Sequence, residues 1–279
     1  MQSQISRRAF VASMALGSVG WTGYATGVEP TWLDVGRHDV VTNIPGPPLK
    51  LLHLGDFHAS WCVSLDYIRQ AIECGLRLKP DLICVTGDFI TTTYGDFERY
   101  QRVLARLPAA APTFACLGNH DGGAWARCHH GYKDTARVRD LVRQSGLELL
   151  HNQSRVLEVR GRKIALTGLG DCYAMEADPR QAFQSPAPAG ALRIVLSHNP
   201  DTKVMVEPYS WDLMLSGHTH GGQLWLPLIG APFAPVEDKR FIAGLYPWSS
   251  RWLHITKGVG NVHGIRFNCR PEVSLLTIV

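Results

Sequence analysis

Residues 49–58 read LKLLHLGDFH, a leucine-rich run that stops at a glycine and then presents Asp56 and His58. An apolar run of this length closed by glycine has the pattern of a buried strand. The pattern recurs along the chain. DLICVTGDF (81–89) stops at Asp88, PTFACLGNHD (112–121) at Asn119, His120 and Asp121, LRIVLSHNP (192–200) at His198, and DLMLSGHTH (212–220) at His218 and His220. Between the first three lie SLDYIRQAIECGLRL (64–78) and DFERYQRVLARL (96–107), whose apolar residues recur at three and four, as on one face of a helix. Strand, helix, strand predicts a layered α/β fold, in which ligands gather beyond the carboxyl ends of the strands. Turn chemistry alone accounts for an isolated Asp56 or Asn119. It does not account for five strand ends.

The donor types define the chemistry. Carboxylate, imidazole and amide oxygen without thiolate suit manganese, iron, zinc or magnesium and do not suit a structural zinc knot. Seven candidate ligands exceed what one ion takes, and they fit two divalent ions about 3.5–4 Å apart that share a carboxylate. His218 and His220 share a face if the backbone there is extended, and Gly221 and Gly222 then let the chain turn sharply away.

In this order D-x-H, G-D, G-N-H-D, a lone His and G-H-x-H resemble the calcineurin-like metallophosphoesterases, and the resemblance covers about residues 50–279. It implies a four-layer αββα sandwich and a phosphoester hydrolase with two divalent metals, manganese first, with iron, zinc and magnesium as alternatives. By the same resemblance Asp56, His58 and His220 hold one ion, Asn119, His198 and His218 the other, and Asp88 bridges them. His120 matches the family's histidine that is not a ligand and protonates the leaving oxygen or stabilises the phosphoryl charge. Asp121 either orients that imidazole or accepts backbone amides, the commoner role of Asp in a turn.

Composition agrees with a folded enzyme. Apolar and charged fractions of 45% and 19% exclude general disorder, and a formal charge of +4 without a Lys/Arg block gives no support to a nucleic-acid partner. The seven cysteines contain no C-x-x-C, so neither a zinc ribbon nor a disulfide framework is indicated, and Cys84 and Cys116 read as packing residues.

The N-terminus has a different character. SRRAF (6–10) opens a stretch with no further charge until Glu29, which resembles a twin-arginine export signal. An anchor helix is the other reading, since 9–28 is just long enough to span a bilayer. The expected organisation is a signal or anchor over 1–30, a linker over 31–49 that includes the Pro-rich NIPGPP (43–48), and a catalytic domain over 50–279. Both readings expect the inner membrane: its periplasmic face if the signal is used, its cytoplasmic face if the segment is an uncleaved anchor.

EPTWLDVGRHDV (29–40), GHTHGGQLWLPLIGAP (217–232) and IRFNCRPEVSLLTI (265–278) resemble a membrane-attached branch that includes twin-arginine phosphodiesterases and UDP-2,3-diacylglucosamine hydrolases. That implies a lipid-linked substrate, split to UMP and a diacylated sugar 1-phosphate. The alternatives are an exported phosphodiesterase acting on another envelope phosphodiester, or a metal-binding scaffold at the membrane without turnover. Arg137 and Arg143, on a helix expected to start at Asp134, are candidate diphosphate-binding cations, with a solvated basic face as the other reading. Trp225, Leu226, Leu228, Ile229 and Phe233 suggest either an acyl groove or membrane-facing lip, or a loop packed on the core. Residues 150–170 predict a hairpin turning at RGRK, part of a second sheet.

Overall fold

The computed structural model describes residues 20–279. Two six-stranded sheets face each other. The first has the order β1 (Asp34–Val40), β12 (Glu272–Ile278), β2 (Leu49–Leu54), β3 (Leu82–Thr86), β4 (Thr113–Cys116) and β5 (Glu148–Leu149). The second has the order β10 (Gly244–Trp248), β11 (Arg251–Ile255), β9 (Leu213–Ser216), β8 (Leu192–Leu196), β7 (Arg162–Gly168) and β6 (Gln153–Val159).

The period-two rule for strands explains how these sequences support layers on both faces. In β2, Leu49 and Leu51 enter the core between the sheets, while Leu52 and Leu54 enter the core under the helices. In β3, Leu82 and Cys84 face the other sheet and Ile83 and Val85 face the helices. The second sheet repeats the division: Leu213 and Leu215 point into the sandwich and Met214 outward. A strand covered on both faces reads as a continuous apolar run, as these do. Cys84 and Cys116 are buried between the sheets, as packing residues should be.

Helices α1 (Leu65–Leu76), α2 (Phe97–Leu104) and α4 (Ala136–Gln144) cover the first sheet; the short α3 (Ala124–Cys128) lies between α2 and α4 in sequence. Ser64 caps α1 by accepting the Tyr67 N–H at 3.2 Å, and Asp96 caps α2 by accepting the Arg99 N–H at 3.1 Å. The layer outside the second sheet is thinner. It consists of α5 (Pro179–Ala182), a 3₁₀ turn (Pro200–Lys203) and loops around Trp211 and Phe241. The expected hairpin is β6 and β7, joined through Arg160 and Gly161, both at positive φ (53° and 76°), the pair of conformations a two-residue turn of this kind requires.

One expectation about the N-terminal segment differs from the structure. Residues 31–49 do not form a simple linker, because β1 pairs in parallel along its whole length with β12. The segment before it is docked as well: Trp21 stacks on Phe267 with ring centroids 4.6 Å apart, Ala25 O accepts the Arg266 N–H at 2.9 Å, and the Glu29 carboxylate accepts the Asn268 N–H at 2.9 Å and also the Cys269 N–H. Pairing and capping at these positions depend on residues more than two hundred places away, which local composition does not express. The twin-arginine-like stretch itself lies outside the described residues. Among the described residues no helix is long and apolar enough to cross a membrane.

Candidate metal centre

β2, β3 and β4 run parallel, as do β7, β8 and β9, so their carboxyl ends line up along one crest of the sandwich. The turns that leave these ends bring the predicted ligands together. Nε2 of His58 lies 3.2 Å and Nε2 of His198 3.1 Å from the same oxygen, Oδ2 of Asp88. His220 Nε2 lies 3.0 Å from His58 Nε2 and 3.5 Å from Asp56 Oδ1. On the other side His218 Nδ1 lies 3.2 Å from His198 Nε2. Asp56, His58, Asp88 and His220 thus form one compact group, with His198 and His218 adjoining it across Asp88. All seven predicted ligands, Asn119 included, are buried.

The His-x-His pair is not extended, contrary to the simple reading. His218 and His220 have φ of 69° and 50°, and Gly221 and Gly222 follow at 60° and 79°. The two imidazoles therefore diverge, one to His198 and the other to His58 and Asp56. Asp56, His58 and Asp88 also have positive φ, at 51°, 49° and 53°. Five of the seven ligand positions sit where an L-residue costs about 1–3 kcal/mol, a strain that persists only where the surrounding structure holds it. Two motif glycines have a simple cause here. A Cβ on Gly217 would collide with the Asp56 carboxylate, and one on Gly118 with that of Asp88.

A shell of hydrogen bonds orients the donors. His198 Nδ1 contacts the Thr86 carbonyl at 2.7 Å and His58 Nδ1 the Thr91 hydroxyl at 3.2 Å, which leaves each Nε2 turned to the centre. Asp56 Oδ1 accepts the His218 N–H at 2.8 Å, and Asp88 Oδ1 accepts the His120 N–H at 3.0 Å. The role of Asp121 is resolved by geometry. Its carboxylate accepts the N–H groups of Gly118 and Asp88 at 2.9 Å each and of Phe89 at 2.7 Å, so it splices the G-D turn to the G-N-H-D turn.

The electrostatics suit cations. Burial works against the Asp88 charge, yet the imidazoles of His198 and His120 hold its carboxyl well below the usual carboxylate range. Burial likewise opposes charge on His198, but the Asp88 carboxylate raises it well above an ordinary imidazole. Burial pushes Asp56 up to about 6 and His218 down to about 3. In addition Oδ2 of Asp56 and Oδ1 of Asn119 are buried with no hydrogen-bond partner among the described residues. Orphaned acceptors are costly unless something electropositive satisfies them, so these residues fit divalent metals.

His120 stands beside the centre, edge-on to His58 with centroids 4.7 Å apart. Its Nδ1 contacts the Thr91 carbonyl at 2.6 Å and therefore carries the proton, leaving Nε2 available. The ring opens on a cleft of about 880 Å³, lined by Trp61, Trp125, His129, Leu224, Phe233 and Ile265. Trp125 lies between the two imidazoles, edge-on to His120 and stacked on His129. Arg137 and Arg143 are not brought to this cleft. Both are exposed on α4, and Arg137 reaches toward Tyr132 instead, because the apolar face of α4 (Val138, Leu141, Val142) packs inward and turns its basic face to solvent.

Three contributors were not singled out from the sequence. Asp171 is buried behind His198, just beyond the end of β7 in GLGDCY (168–173); this strand end has the same pattern as the five recognised ones and was legible. Tyr173 lies edge-on to His218, with centroids 4.9 Å apart. Arg266 is buried and donates to the carbonyls of His220, Lys257, Gly258 and Gly260, which fixes the loop behind His220; nothing local in GIRFNC marks it.

A buried Asp/His/Asn centre at the aligned strand ends of a two-sheet sandwich defines a metal-dependent hydrolase of phosphoesters. The chain belongs to the calcineurin-like phosphoesterases, whose family model matches residues 49–222. It is 41% identical to phosphodiesterase YaeI of Escherichia coli (strain K12), over 99% of this chain and 100% of that protein. It is 30% identical to the metallophosphoesterase YkuE of Bacillus subtilis (strain 168), over 99% and 98%. It is 29% identical to the UDP-2,3-diacylglucosamine pyrophosphatase LpxG of Chlamydia trachomatis, over 91% of each chain. Family and donor set together imply divalent metals and a phosphoester substrate, and they set aside the scaffold without turnover.

Proposed function

We propose that the enzyme hydrolyses a phosphodiester or pyrophosphate bond in an amphiphilic, acylated substrate, specifically UDP-2,3-diacylglucosamine to UMP and 2,3-diacylglucosamine 1-phosphate. The observation that carries this reading is the apolar wall beside the centre. Phe233, 69% exposed, lines the cleft that opens beside His120, and on the same segment Leu228 is fully exposed and Ile229 69% exposed, whereas Ala231, Ala234, Val236 and Ile242 pack together beneath it. The packed-loop reading of this stretch describes Ala231, Ala234, Val236 and Ile242, and the exposed residues support the other. An exposed apolar rim on a polar catalytic crest suits an acyl chain or the membrane that delivers it. The likeness to LpxG supports the same substrate class.

In this reading Asp56, His58 and His220 would hold one ion, Asn119, His198 and His218 the second, and Asp88 would serve both. When bound, such a pair supplies Lewis acidity that activates water and offsets phosphoryl charge. Arg266 and Asp121 hold the ligand-bearing turns in register. His120 faces the leaving group with Nε2 while its Nδ1–H stays on Thr91. Burial lowers this imidazole to about 4, and a phosphoester anion beside it acts in the opposite direction. In this reading a proton on Nε2 passes to the departing oxygen.

A second reading rests on SRRAF (6–10): an exported enzyme of the inner membrane acting on another envelope phosphodiester, in keeping with the likeness to phosphodiesterase YaeI. Mass spectrometry of the products from UDP-2,3-diacylglucosamine, with manganese-loaded full-length protein and His120→Ala as control, separates the two. Release of UMP and acylated sugar 1-phosphate, lost in the variant, supports the first reading. No turnover while an aryl phosphodiester is still cleaved sinks it and leaves the second.

A further inference from the structure

A second group of side chains able to hold a metal lies between the sheets, behind the catalytic crest: the Glu272 N–H donates to the Gly258 carbonyl, and Gly258 packs against Asp56. His38 on β1, Glu272 on β12 and His254 on β11 each offer one donor atom, and these atoms all lie within 4.8 Å of one another. β1 and β12 belong to the first sheet and β11 to the second, so the group bridges the layers. None of the three is a ligand of the catalytic centre.

Several independent features point to a cation. Gly36 has no side chain where one is expected, and the Glu272 carboxylate occupies that space; a Cβ there would stand 2.6 Å from its Oε1. His254 is fully buried, its Nδ1 lies 2.8 Å from Nδ1 of His53, and its Nε2 has no hydrogen-bond partner among the described residues. Burial holds both rings far below an ordinary imidazole, so both are neutral and a single proton lies between their Nδ1 atoms. His53 Nε2 in turn contacts the Thr86 hydroxyl at 2.9 Å, which Thr86 can accept while donating to the Leu54 carbonyl at 3.5 Å. With His53 Nε2 as the donor there, its Nδ1 must accept from His254 Nδ1–H, and His254 Nε2 is left as a bare lone pair. That is the tautomer of a metal-ligating histidine whose other nitrogen is oriented by a hydrogen bond.

We propose that His38, His254 and Glu272 form a third metal site, a zinc site of two imidazoles and one carboxylate that clips the β1 edge of the first sheet to β11 of the second. Neutral imidazole and carboxylate without thiolate is a set zinc accepts, with a fourth position left for water. Lys257 Nζ, 3.3 Å from Glu272 Oε2, is the competitor. Its side chain is one-third exposed, so it can yield the carboxylate and turn to solvent. The other contact of Glu272, from the Ser274 hydroxyl to Oε1, fixes the carboxylate and stays in place.

The test uses the full chain. After zinc saturation and gel filtration, elemental analysis is expected to find about three equivalents per chain, falling by one in His38→Ala. His38 is partly exposed on an edge strand, so this variant keeps its fold; Glu272→Gln is the second variant, with folding of both checked by circular dichroism. In an Asp88→Asn background, which disables the catalytic centre, cobalt is expected to give one tight equivalent with a tetrahedral visible spectrum, absent when His38→Ala is added. The thermal midpoint of the Asp88→Asn protein should fall on chelation, and that of the double variant should not. An Asp88→Asn protein that binds no cobalt, or a His38→Ala protein with the same metal content and chelator response as its parent, overturns the proposal.

Discussion

Oδ2 of Asp88 lies 3.2 Å from His58 Nε2 and 3.1 Å from His198 Nε2, so one carboxylate oxygen joins the two halves of the site through a histidine that follows β2 of the first sheet and one that follows β8 of the second. Replacing Asp88 with Asn removes the charge both halves rely on. Asp88→Asn should lose bound metal from the catalytic centre and more than about 100-fold in turnover, since even the outer partners of metal ligands are worth 10–100-fold. Elemental analysis alongside kinetics checks it; full activity with full metal content would show that Asp88 is no bridge.

His120 should behave differently. It is no ligand in this assignment, so His120→Ala should retain the metal content of the parent and lose about 10²–10⁴-fold in kcat, the usual contribution of a positioned acid or base. The loss should be smallest for esters with good leaving groups such as nitrophenol. A uniform loss across leaving groups would remove the proton-donor role.

Asp121 carries structure rather than chemistry. Asp121→Asn turns one acceptor into a donor facing backbone N–H groups, and leaving buried groups unpaired costs about 1–3 kcal/mol. Urea unfolding should report that loss. If stability is unchanged while activity falls, the carboxylate acts on His120 after all.

The exposed rim gives a substrate-selective expectation. Phe233→Ser should raise KM for an acylated substrate about 10- to 100-fold, because burying such a ring against an acyl chain is worth about 1.5–3 kcal/mol. A short aryl phosphodiester should be cleaved as before. Equal effects on both substrates would relegate Phe233 to packing of the loop.

His53 makes stability depend on pH. Burial lowers it from 6.5 to about 3 in the fold, so the unfolded chain takes up a proton first as pH falls. Stability from this group is therefore complete above about pH 6.5 and is lost progressively toward pH 3, at about 1.4 kcal/mol per unit. Chelator-treated protein followed by thermal unfolding across that range should show the loss, and His53→Asn should flatten it. Parallel pH curves for the two proteins would refute the assignment.

The layered α/β class, the first two helices, the hairpin at Arg160 and Gly161 and the buried donors at the strand ends were legible in the chain. Each is a local signal: apolar runs of strand length, three-and-four spacing, a turn glycine, donors at strand ends. The basic face of α4 left two readings open because charge on a helix does not state which way the helix rolls; Val138, Leu141 and Val142 decided that by burial. The divergence of His218 and His220 was hidden because φ is not written in residue type when a non-glycine is held left-handed by its neighbours. The same holds for β1, for Arg266 and for the cluster of His38, His254 and Glu272, whose partners come from strands far apart in the chain. Local chemistry thus determined the donor set and the layers. Only tertiary packing decided which donors meet, since convergence is a property of sheet order and register, and those are set by contacts between residues that the sequence keeps apart.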